Sequence, residues 1–408
     1  MIWYTEDKIK DFIYQYNYDI RESGNARWID QKCTADVLSI IADCIIDFVP
    51  IGTDYFTSKD IWNSTYAIET VENIFRKAKV NSELSINEYD KFFQQPMELL
   101  SYSRILFKKK VENKNFYKIN NKDMLEYIAL RERNALTFLQ IYIEKVLIDS
   151  NLWNFFEKFF KNQSKENFVK MKNTFIAFTI SYTNIKKELE CRRIFTKILN
   201  PLAFKNHSKG TNKGHLSNDI ISYDELMYNR DNFRDIYSNK PKGITRKEHE
   251  KKCKIYPNEN YYKYLSQKAK KFLRLFNFEH RQGKSEIKCY CPDEERTIHI
   301  HHIFPESEYP AISFFLENLI ALSANQHFVY AHPKGNTQLI NTDFQHTCLL
   351  AKAEIIKENI LCSDNVIYDF DKFIYVLNTG FDTVAYSEIE KLDFNGIITK
   401  LNLQFVDL

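Results

Sequence analysis

Six of the ten histidines in this 408-residue chain lie between His299 and His346. A uniform distribution would place about one histidine there. Imidazole is the commonest metal ligand in proteins, and its proton equilibrium lies nearest neutral pH. The cluster therefore indicates a site for metal binding, for acid–base catalysis, or for both.

The order of residues in this cluster predicts a compact structural unit. The residues around His301 and His302 indicate a strand, Asn318 opens a second apolar segment, and His327 follows in a predicted helix. Two strands and a helix in this order form a compact ββα unit.

At these positions the chain resembles the HNH endonucleases, or ββα-metal nucleases. In that family a histidine pair at the end of a strand is often followed by a hydrophobic residue and a proline. An Asn-Leu pair then precedes a helix, which carries a histidine nine residues after the asparagine. The segment His301–Pro305, the pair Asn318-Leu319 and His327 match these features in order.

The resemblance assigns a role to each of these residues. It implies that His301 and His327 bind one divalent metal ion. It also implies that His302 is the general base that deprotonates water and that Asn318 orients His302. A base with a pKa near 6.5 can generate hydroxide at neutral pH, and a metal ion can neutralise charge on the phosphate and the leaving 3′-oxygen.

Three other histidines have less defined roles. His332 lies five residues after His327, whereas many relatives have a ligand at four. It is expected to be either a third metal ligand or a phosphate contact. His299 shares a strand face with His301 by two-residue alternation, but a structural role is favoured for both His299 and His346.

All-histidine ligation tolerates several divalent ions, so magnesium is only the cellular default, and manganese or another divalent ion would also serve. Many HNH domains also carry two C-x-x-C pairs that bind a structural zinc ion. Here Ser323 and Gln326 replace one pair and form an S-x-x-Q capping box. Upstream there is only Cys289-Tyr290-Cys291. The sequence therefore predicts no structural zinc.

The elements that precede the cluster are mainly helical. Apolar residues at helical spacing from Val37 to Phe48, with Thr34 as the N-cap, predict a first helix. A second helix is expected to follow Thr57 and Ser58 and to carry apolar residues from Ile61 to Phe75, and a third is expected around Met97. Two short strands around a four-residue turn at 112–115 then predict a β-hairpin. This order is that of a winged helix, with a helical bundle carrying one hairpin as the alternative.

Basic residues are concentrated in two places. The segment Lys240–Arg274 has a net charge of +9, so the near-neutral total of +3 averages two unlike parts. A basic stripe with interspersed aromatic rings suits a phosphate backbone. The residues expected to bind DNA lie in the hairpin and in this stripe: Lys108, Lys109, Lys110, Lys114, Lys268, Lys270, Lys271 and Arg274.

The sequence thus predicts an α+β protein that is predominantly helical. We expect a winged-helix-like DNA-reading domain at 1–121, a helical connector with a basic linker at 122–255, an HNH nuclease domain at 256–362 and a C-terminal extension at 363–408. This arrangement is similar to that of type II restriction endonucleases with an HNH site. The segments Arg27–Lys32 and Ala129–Leu136 also look like parts of such enzymes.

The expected function is site-specific cleavage of double-stranded DNA, with a DNA methyltransferase as the functional partner. One HNH site cuts one strand, so a double-strand break requires a homodimer or two sequential nicks. The alternatives are a less specific HNH nuclease of a mobile element or of phage defence, and a DNA-binding regulator with an inactive HNH fold. An E-x-K core at Glu286-Ile287-Lys288 is disfavoured, because no convincing Pro-Asp precedes it.

Composition excludes several other classes. The chain has only nine glycines and contains neither phosphate-binding loop motif, which argues against the usual nucleotide-binding enzymes. The start lacks a signal-peptide pattern, and no apolar run is long enough to span a membrane. Eight cysteines without a dense framework fit a reducing compartment. A bacterial cytoplasmic location is therefore expected.

Overall fold

The computed structural model describes residues 5–49, 55–75, 86–228, 259–289, 299–332, 341–363 and 366–406. The chain divides into two compact units, unit 1 at Met1–Ile255 and unit 2 at Tyr256–Leu408. Helices predominate, and the described strands form antiparallel pairs. The expectation of an α+β, mainly helical protein is confirmed. The predicted boundaries at 121/122 and 362/363 lie inside the two units.

Helices α1–α11 make up most of unit 1. Their bounds are Glu6–Ile13, Ile20–Ser23, Ala35–Phe48, Ser58–Trp62, Thr65–Phe75, Ile86–Tyr102, Lys122–Leu130, Glu132–Asp149, Trp153–Lys161, Lys165–Tyr182 and Glu188–Lys205. Helix α3 begins after Thr34, as predicted, and packs against α6, α7 and α8. The second predicted helix is split into α4 and α5, because Ser64 accepts a hydrogen bond from the Ala67 amide and starts a new helix.

The predicted hairpin is present, with a shorter turn. Strands β1 (Leu106–Val111) and β2 (Lys114–Ile119) pair from Leu106–Ile119 to Val111–Lys114. The turn is therefore two residues long and not four. Glu112 makes this possible by adopting a φ of 54°, the left-handed backbone that two-residue hairpin turns use. The buried Glu98 of α6 anchors the hairpin, accepting hydrogen bonds from Asn115 at 3.1 Å and Tyr117 at 2.5 Å.

A second hairpin, which the sequence analysis did not predict, follows α11. It pairs β3 (Lys209–Asn212) with β4 (His215–Ile220). Its turn is formed by Lys213 and Gly214, both with positive φ values of 51° and 84°. The polar composition of this segment concealed the strands, since a short hairpin with exposed faces has little hydrophobic alternation.

Unit 2 contains helices α12 (Glu259–Arg281), α13 (Thr342–Cys362), α14 (Phe370–Gly380) and α15 (Phe394–Val406). Strands β5 (His299–His302) and β6 (Leu319–Leu322) pair antiparallel, and His301 lies opposite Ile320. A π-helix at Gln326–Ala331 follows β6. Helix α12 packs against both strands. A strand pair followed by a helical segment is the order that the sequence predicts, although the helix is of an unexpected type.

A buried ion pair lies against strand β6. The Glu286 carboxylate accepts from the Ala321 amide at 2.7 Å and lies 3.1 Å from Nζ of Lys352, whose side chain is fully buried. The Tyr368 hydroxyl lies 3.1 Å from the same ammonium group. Glu286, the acid of the E-x-K segment, is thus buried in the core with its carboxylate bonded to the Ala321 amide and to Lys352.

Within the described ranges, no helix has the length and apolar character needed to cross a membrane.

Candidate metal centre

Three histidines of unit 2 come together at one point. His301 belongs to β5, His327 lies in the π-helix and His332 directly follows that helix. One ring nitrogen from each histidine lies within 4.8 Å of the other two. The centroids of the His327 and His332 rings are 4.9 Å apart. The structure therefore brings His301 and His327, the two predicted ligands, together with His332, for which the sequence left a ligand role open.

The donor set fits a divalent cation. The Nδ1 atom of His327 is buried and has no hydrogen-bond partner among the described residues. A buried polar atom left in this state costs about 1–3 kcal/mol, a cost that a bound cation would remove. Burial lowers the pKa of His327 to about 4 and that of His301 well below its usual value. Both rings are therefore neutral at pH 7, the form that binds metals.

The π-helix explains how His332 reaches this cluster. An α-helix turns about 100° per residue, so a spacing of five would rotate His332 about 140° beyond His327. A π-helix forms i→i+5 hydrogen bonds and places residues five apart one turn apart. The extra residue that made His332 ambiguous in the sequence is thus accommodated by a wider turn. The geometry favours the ligand interpretation of His332.

His302 has a different environment from His301, because neighbouring side chains on a strand point to opposite faces. Its Nε2 atom lies 2.9 Å from the carbonyl oxygen of Ser313 and 3.1 Å from the Ser266 hydroxyl on α12. A carbonyl oxygen only accepts hydrogen bonds, so Nε2 carries the proton and the Nδ1 lone pair is left to act as a base. Burial, with a smaller contribution from the Lys270 charge, lowers the pKa of His302 to about 4.

Asn318 acts on the loop that follows β5. Its amide is fully buried; Oδ1 accepts from the Phe304 amide at 2.8 Å, and Nδ2 donates to the Phe304 and Ile312 carbonyls at 3.0 and 3.3 Å. This loop carries Ser313, whose carbonyl bonds to His302. The orienting role expected of Asn318 would therefore pass through the backbone of the loop.

Gln326 links the π-helix to the segment upstream of β5. The predicted capping box forms, with the Gln326 amide 3.2 Å from the Ser323 hydroxyl and the Ser323 amide 3.0 Å from the Gln326 side chain. The Gln326 Nε2 atom also donates to the carbonyls of Ile287 and Cys289 at 3.0 and 2.8 Å. These hydrogen bonds cross-link two segments at a place where the HNH pattern has cysteines.

His299 and His346, like His302, lie outside the group of three. His299 stacks on His327 with ring centroids 4.7 Å apart and an angle of 12° between the planes. His346 lies on α13, where its Nε2 atom is 3.0 Å from Asn402 Oδ1 and its ring stacks on Phe405. His346 therefore has a structural environment, as expected, and His299 supports the ring of a candidate ligand.

The basic residues predicted to bind DNA are placed on two separate units. Lys268, Lys270, Lys271 and Arg274 lie on α12. Lys271 and Arg274 are exposed, whereas Lys270 is partly buried, and burial lowers its pKa. The part of the stripe from 240 to 258 lies outside the described residues.

The four hairpin lysines predicted to bind DNA, Lys108, Lys109, Lys110 and Lys114, are exposed on the β1–β2 ribbon of unit 1. Lys108 forms a 2.7 Å ion pair with Glu98. The Lys109 ammonium group lies 3.5 Å from the centre of the Tyr55 ring. Lys114 directly follows the turn, and Lys110 lies one residue pair away from it.

Sequence reasoning missed Ser266 and Ser313, the two groups at hydrogen-bond distance from His302. Ser266 is a single serine in a basic helix, and Ser313 acts through its backbone carbonyl, so neither residue belongs to a recognisable sequence pattern.

Comparison of the chain with models of known protein families, with curated proteins and with solved structures finds no match.

Proposed function

We propose that this protein is a metal-dependent endonuclease that hydrolyses phosphodiester bonds in double-stranded DNA at a specific site. The observation that carries the proposal is the convergence of His301, His327 and His332 on the β5–β6 unit that also holds His302. A regulator that only binds DNA has no need for a set of converging histidines in the same unit as a largely buried, neutral histidine.

The roles of the residues follow from their positions. His301, His327 and His332 would hold the divalent ion, with magnesium or manganese as the expected metal. When bound, such an ion supplies Lewis-acid stabilisation of charge on the phosphate and the leaving oxygen. His302 accepts a proton from water at Nδ1, because the Ser313 carbonyl holds the proton on Nε2. Asn318 keeps the loop in the position that this tautomer requires.

The remaining parts of the proposal concern DNA recognition. Unit 2 carries the HNH-like site and the lysines of α12, and unit 1 carries the basic hairpin, which we propose to be part of a winged-helix-like reading surface. Reading and cutting parts together suit a type II restriction endonuclease of the bacterial cytoplasm, protected by a cognate methyltransferase. Cutting both strands requires two copies of the site or two sequential nicks.

Incubation with supercoiled plasmid tests this proposal. With magnesium or manganese the protein should yield nicked and then linear DNA, and sequencing of the ends should show one recognition site. His302→Ala should lower the rate by about 100-fold or more while metal binding survives, and the matched variant His346→Ala should cut normally. If no divalent ion supports cleavage, the result would favour the alternative of an inactive DNA-binding regulator. If the cleaved DNA has ends at random positions, the result would favour the less specific nuclease.

A further inference from the structure

Unit 1 contains a cleft of about 1220 Å³ that the proposed function has not used. The Arg27–Lys32 segment forms one wall, and the segment of α6 from Asp90 to Glu98 forms another. The beginning of α11, from Lys187 to Lys197, contributes to the lining as well, as does Asn115 of the hairpin. Its volume is above the range of about 300–1000 Å³ that is usual for pockets that bind small molecules.

Three of the cations that line this cleft are available to a ligand. Lys91, Lys187 and Arg193 are exposed, and none of them forms an ion pair within the described ranges. Two other cations in the lining have acidic partners. Arg27 pairs with Asp30, and Lys32 pairs with Glu88.

The acids in the lining do not cancel this positive charge. The Glu98 carboxylate accepts hydrogen bonds from Lys108 and Tyr117, and the Arg27 guanidinium lies 3.6 Å from the Glu190 carboxylate. Asp90 is exposed and offsets one of the three available cations. The cleft therefore keeps an excess of positive charge that suits phosphate groups.

Two side-chain amides also line the cleft. Gln31 and Gln94 are half-buried, and among the described residues neither side chain makes a hydrogen bond. Gln95, beside them, uses its oxygen to accept from the Lys32 amide at 2.9 Å. An amide presents a donor and an acceptor together, the pair that matches the N6 and N7 atoms of adenine.

From these features we infer that the cleft binds a DNA strand, with Lys91, Lys187 and Arg193 on phosphates and Gln31 and Gln94 at base edges. This inference rests on the proposed function and adds a recognition surface to the hairpin. It also gives a role to the Arg27–Lys32 segment, which forms one wall of the cleft. Phosphate contacts set position and base-edge contacts set sequence preference, so the two groups of residues make separable predictions.

The phosphate contacts are tested by the salt dependence of binding. Affinity for a fluorescent 30-base-pair duplex is measured by anisotropy between 50 and 300 mM salt, without added metal. The combined change Lys91→Gln, Lys187→Gln and Arg193→Gln should make the slope of log affinity against log salt shallower by about 2.7, at 0.9 per phosphate. The matched control removes three exposed lysines that do not line the cleft, Lys158, Lys165 and Lys170. Equal slopes for the two variants would overturn the inference.

The amides are tested by selecting bound duplexes from a random pool, which needs no cleavage. Gln31→Ala with Gln94→Ala should change or broaden the enriched sequence and leave the salt slope unaltered. An unchanged enriched sequence would remove the amides from the recognition surface and contradict that part of the inference. If a mononucleotide bound as tightly as the duplex, the result would contradict the inference that the cleft binds a DNA strand. It would indicate a small phosphate-containing ligand instead. Failure of plasmid cleavage, by contrast, would refute the nuclease and leave these binding results intact.

Discussion

At the scale of single residues, the site depends on the protonation of three imidazoles, those of His301, His302 and His327. Burial lowers the pKa values of His301, His302 and His327, so these rings are neutral at pH 7. The alternation of the strand separates His301 from His302 and gives the two neighbours different partners. The buried Nδ1 atom of His327 has no hydrogen-bond partner in the described part of the chain. One of these rings is therefore suited to proton transfer and the others to metal binding.

His332→Ala should weaken metal binding by at least tenfold, because it removes one of three converging ring nitrogens. Even residues that only support metal ligands cost 10–100-fold when they are replaced. Titration calorimetry with manganese or cobalt measures the effect. His346→Ala serves as the control, since His346 packs on Phe405 away from the cluster. Unchanged affinity in the His332 variant would assign His332 to phosphate contact instead.

At the scale of elements, the π-helix at Gln326–Ala331 sets the geometry of the site. It places His327 and His332 one turn apart despite their spacing of five residues. Gln326 holds the start of this helix through the capping box and through hydrogen bonds to Ile287 and Cys289. π-Helical turns are rare overall, but many of those known lie at functional sites. This agrees with the presence of one candidate ligand within this π-helix and of another directly after it.

Deleting Val329 should convert the π-turn to an α-turn and keep the two histidines on one face at a spacing of four. Val329 is 57 % exposed, so its side chain contributes little to the core. We expect metal affinity to stay within about tenfold of the original, because α-helical residues four apart are also neighbours. Val329→Ala controls for loss of the side chain alone. Complete loss of metal binding on deletion would show that the wider turn itself is required.

At the scale of the whole molecule, the C-terminal segment stabilises a loop of the candidate site. The C-terminal extension expected at 363–408 contains α14, which packs against the loop after β5. A Cβ atom at Gly380 would lie 2.4 Å from the Phe304 ring, so only glycine fits there. The Glu317 carboxylate accepts from the Asp369 amide at 2.9 Å. Phe304 is also the residue that Asn318 binds.

Gly380→Ala should destabilise the protein by about 1–3 kcal/mol, the usual cost of overpacking a core. It should also reduce plasmid cleavage, because displacement of Phe304 would disturb the loop that carries Ser313. Denaturant unfolding and cleavage rates measure the two effects. Adding Phe304→Leu should recover part of the lost stability by making room for the methyl group. If the double variant is no more stable than the single one, the steric explanation is wrong.

Stability of the chain should fall above pH 10. Burial raises the pKa values of Tyr127 in unit 1 and Tyr386 in unit 2 to about 12. Between pH 10 and 12 the unfolded chain loses these protons while the folded chain keeps them, so the stabilisation is complete below pH 10 and is lost above it. We expect a loss of about 1 kcal/mol per tyrosine by pH 11, since one pKa unit is about 1.4 kcal/mol.

Denaturant unfolding at pH 8 and pH 11 measures this loss, and Tyr386→Phe should remove its share. The Tyr386 hydroxyl is buried without a hydrogen-bond partner among the described residues, so the substitution should not destabilise the protein at pH 8. An alkaline loss of the same size in the Tyr386→Phe variant would contradict the assignment.

The sequence by itself determined the local features of this protein. Apolar spacing predicted α3, alternation and a polar turn predicted the β1–β2 hairpin, and histidine identity and order selected the three residues that converge in unit 2. These features depend on neighbours within a few residues, or on side-chain chemistry that no fold alters. The hairpin turn was misjudged by two residues, because the positive φ of Glu112 leaves no trace in residue type.

Only the tertiary structure decided how these features act together. The π-turn that brings His332 to His301, the Ser313 carbonyl that sets the His302 tautomer and the Phe304–Gly380 contact all join segments distant in sequence or depend on backbone geometry. The cleft of unit 1 likewise joins Gln31, Lys91 and Arg193 from three separate segments. Residue types determine which chemistry is available to the protein. The path of the backbone and the packing of distant segments determine which side chains come into contact.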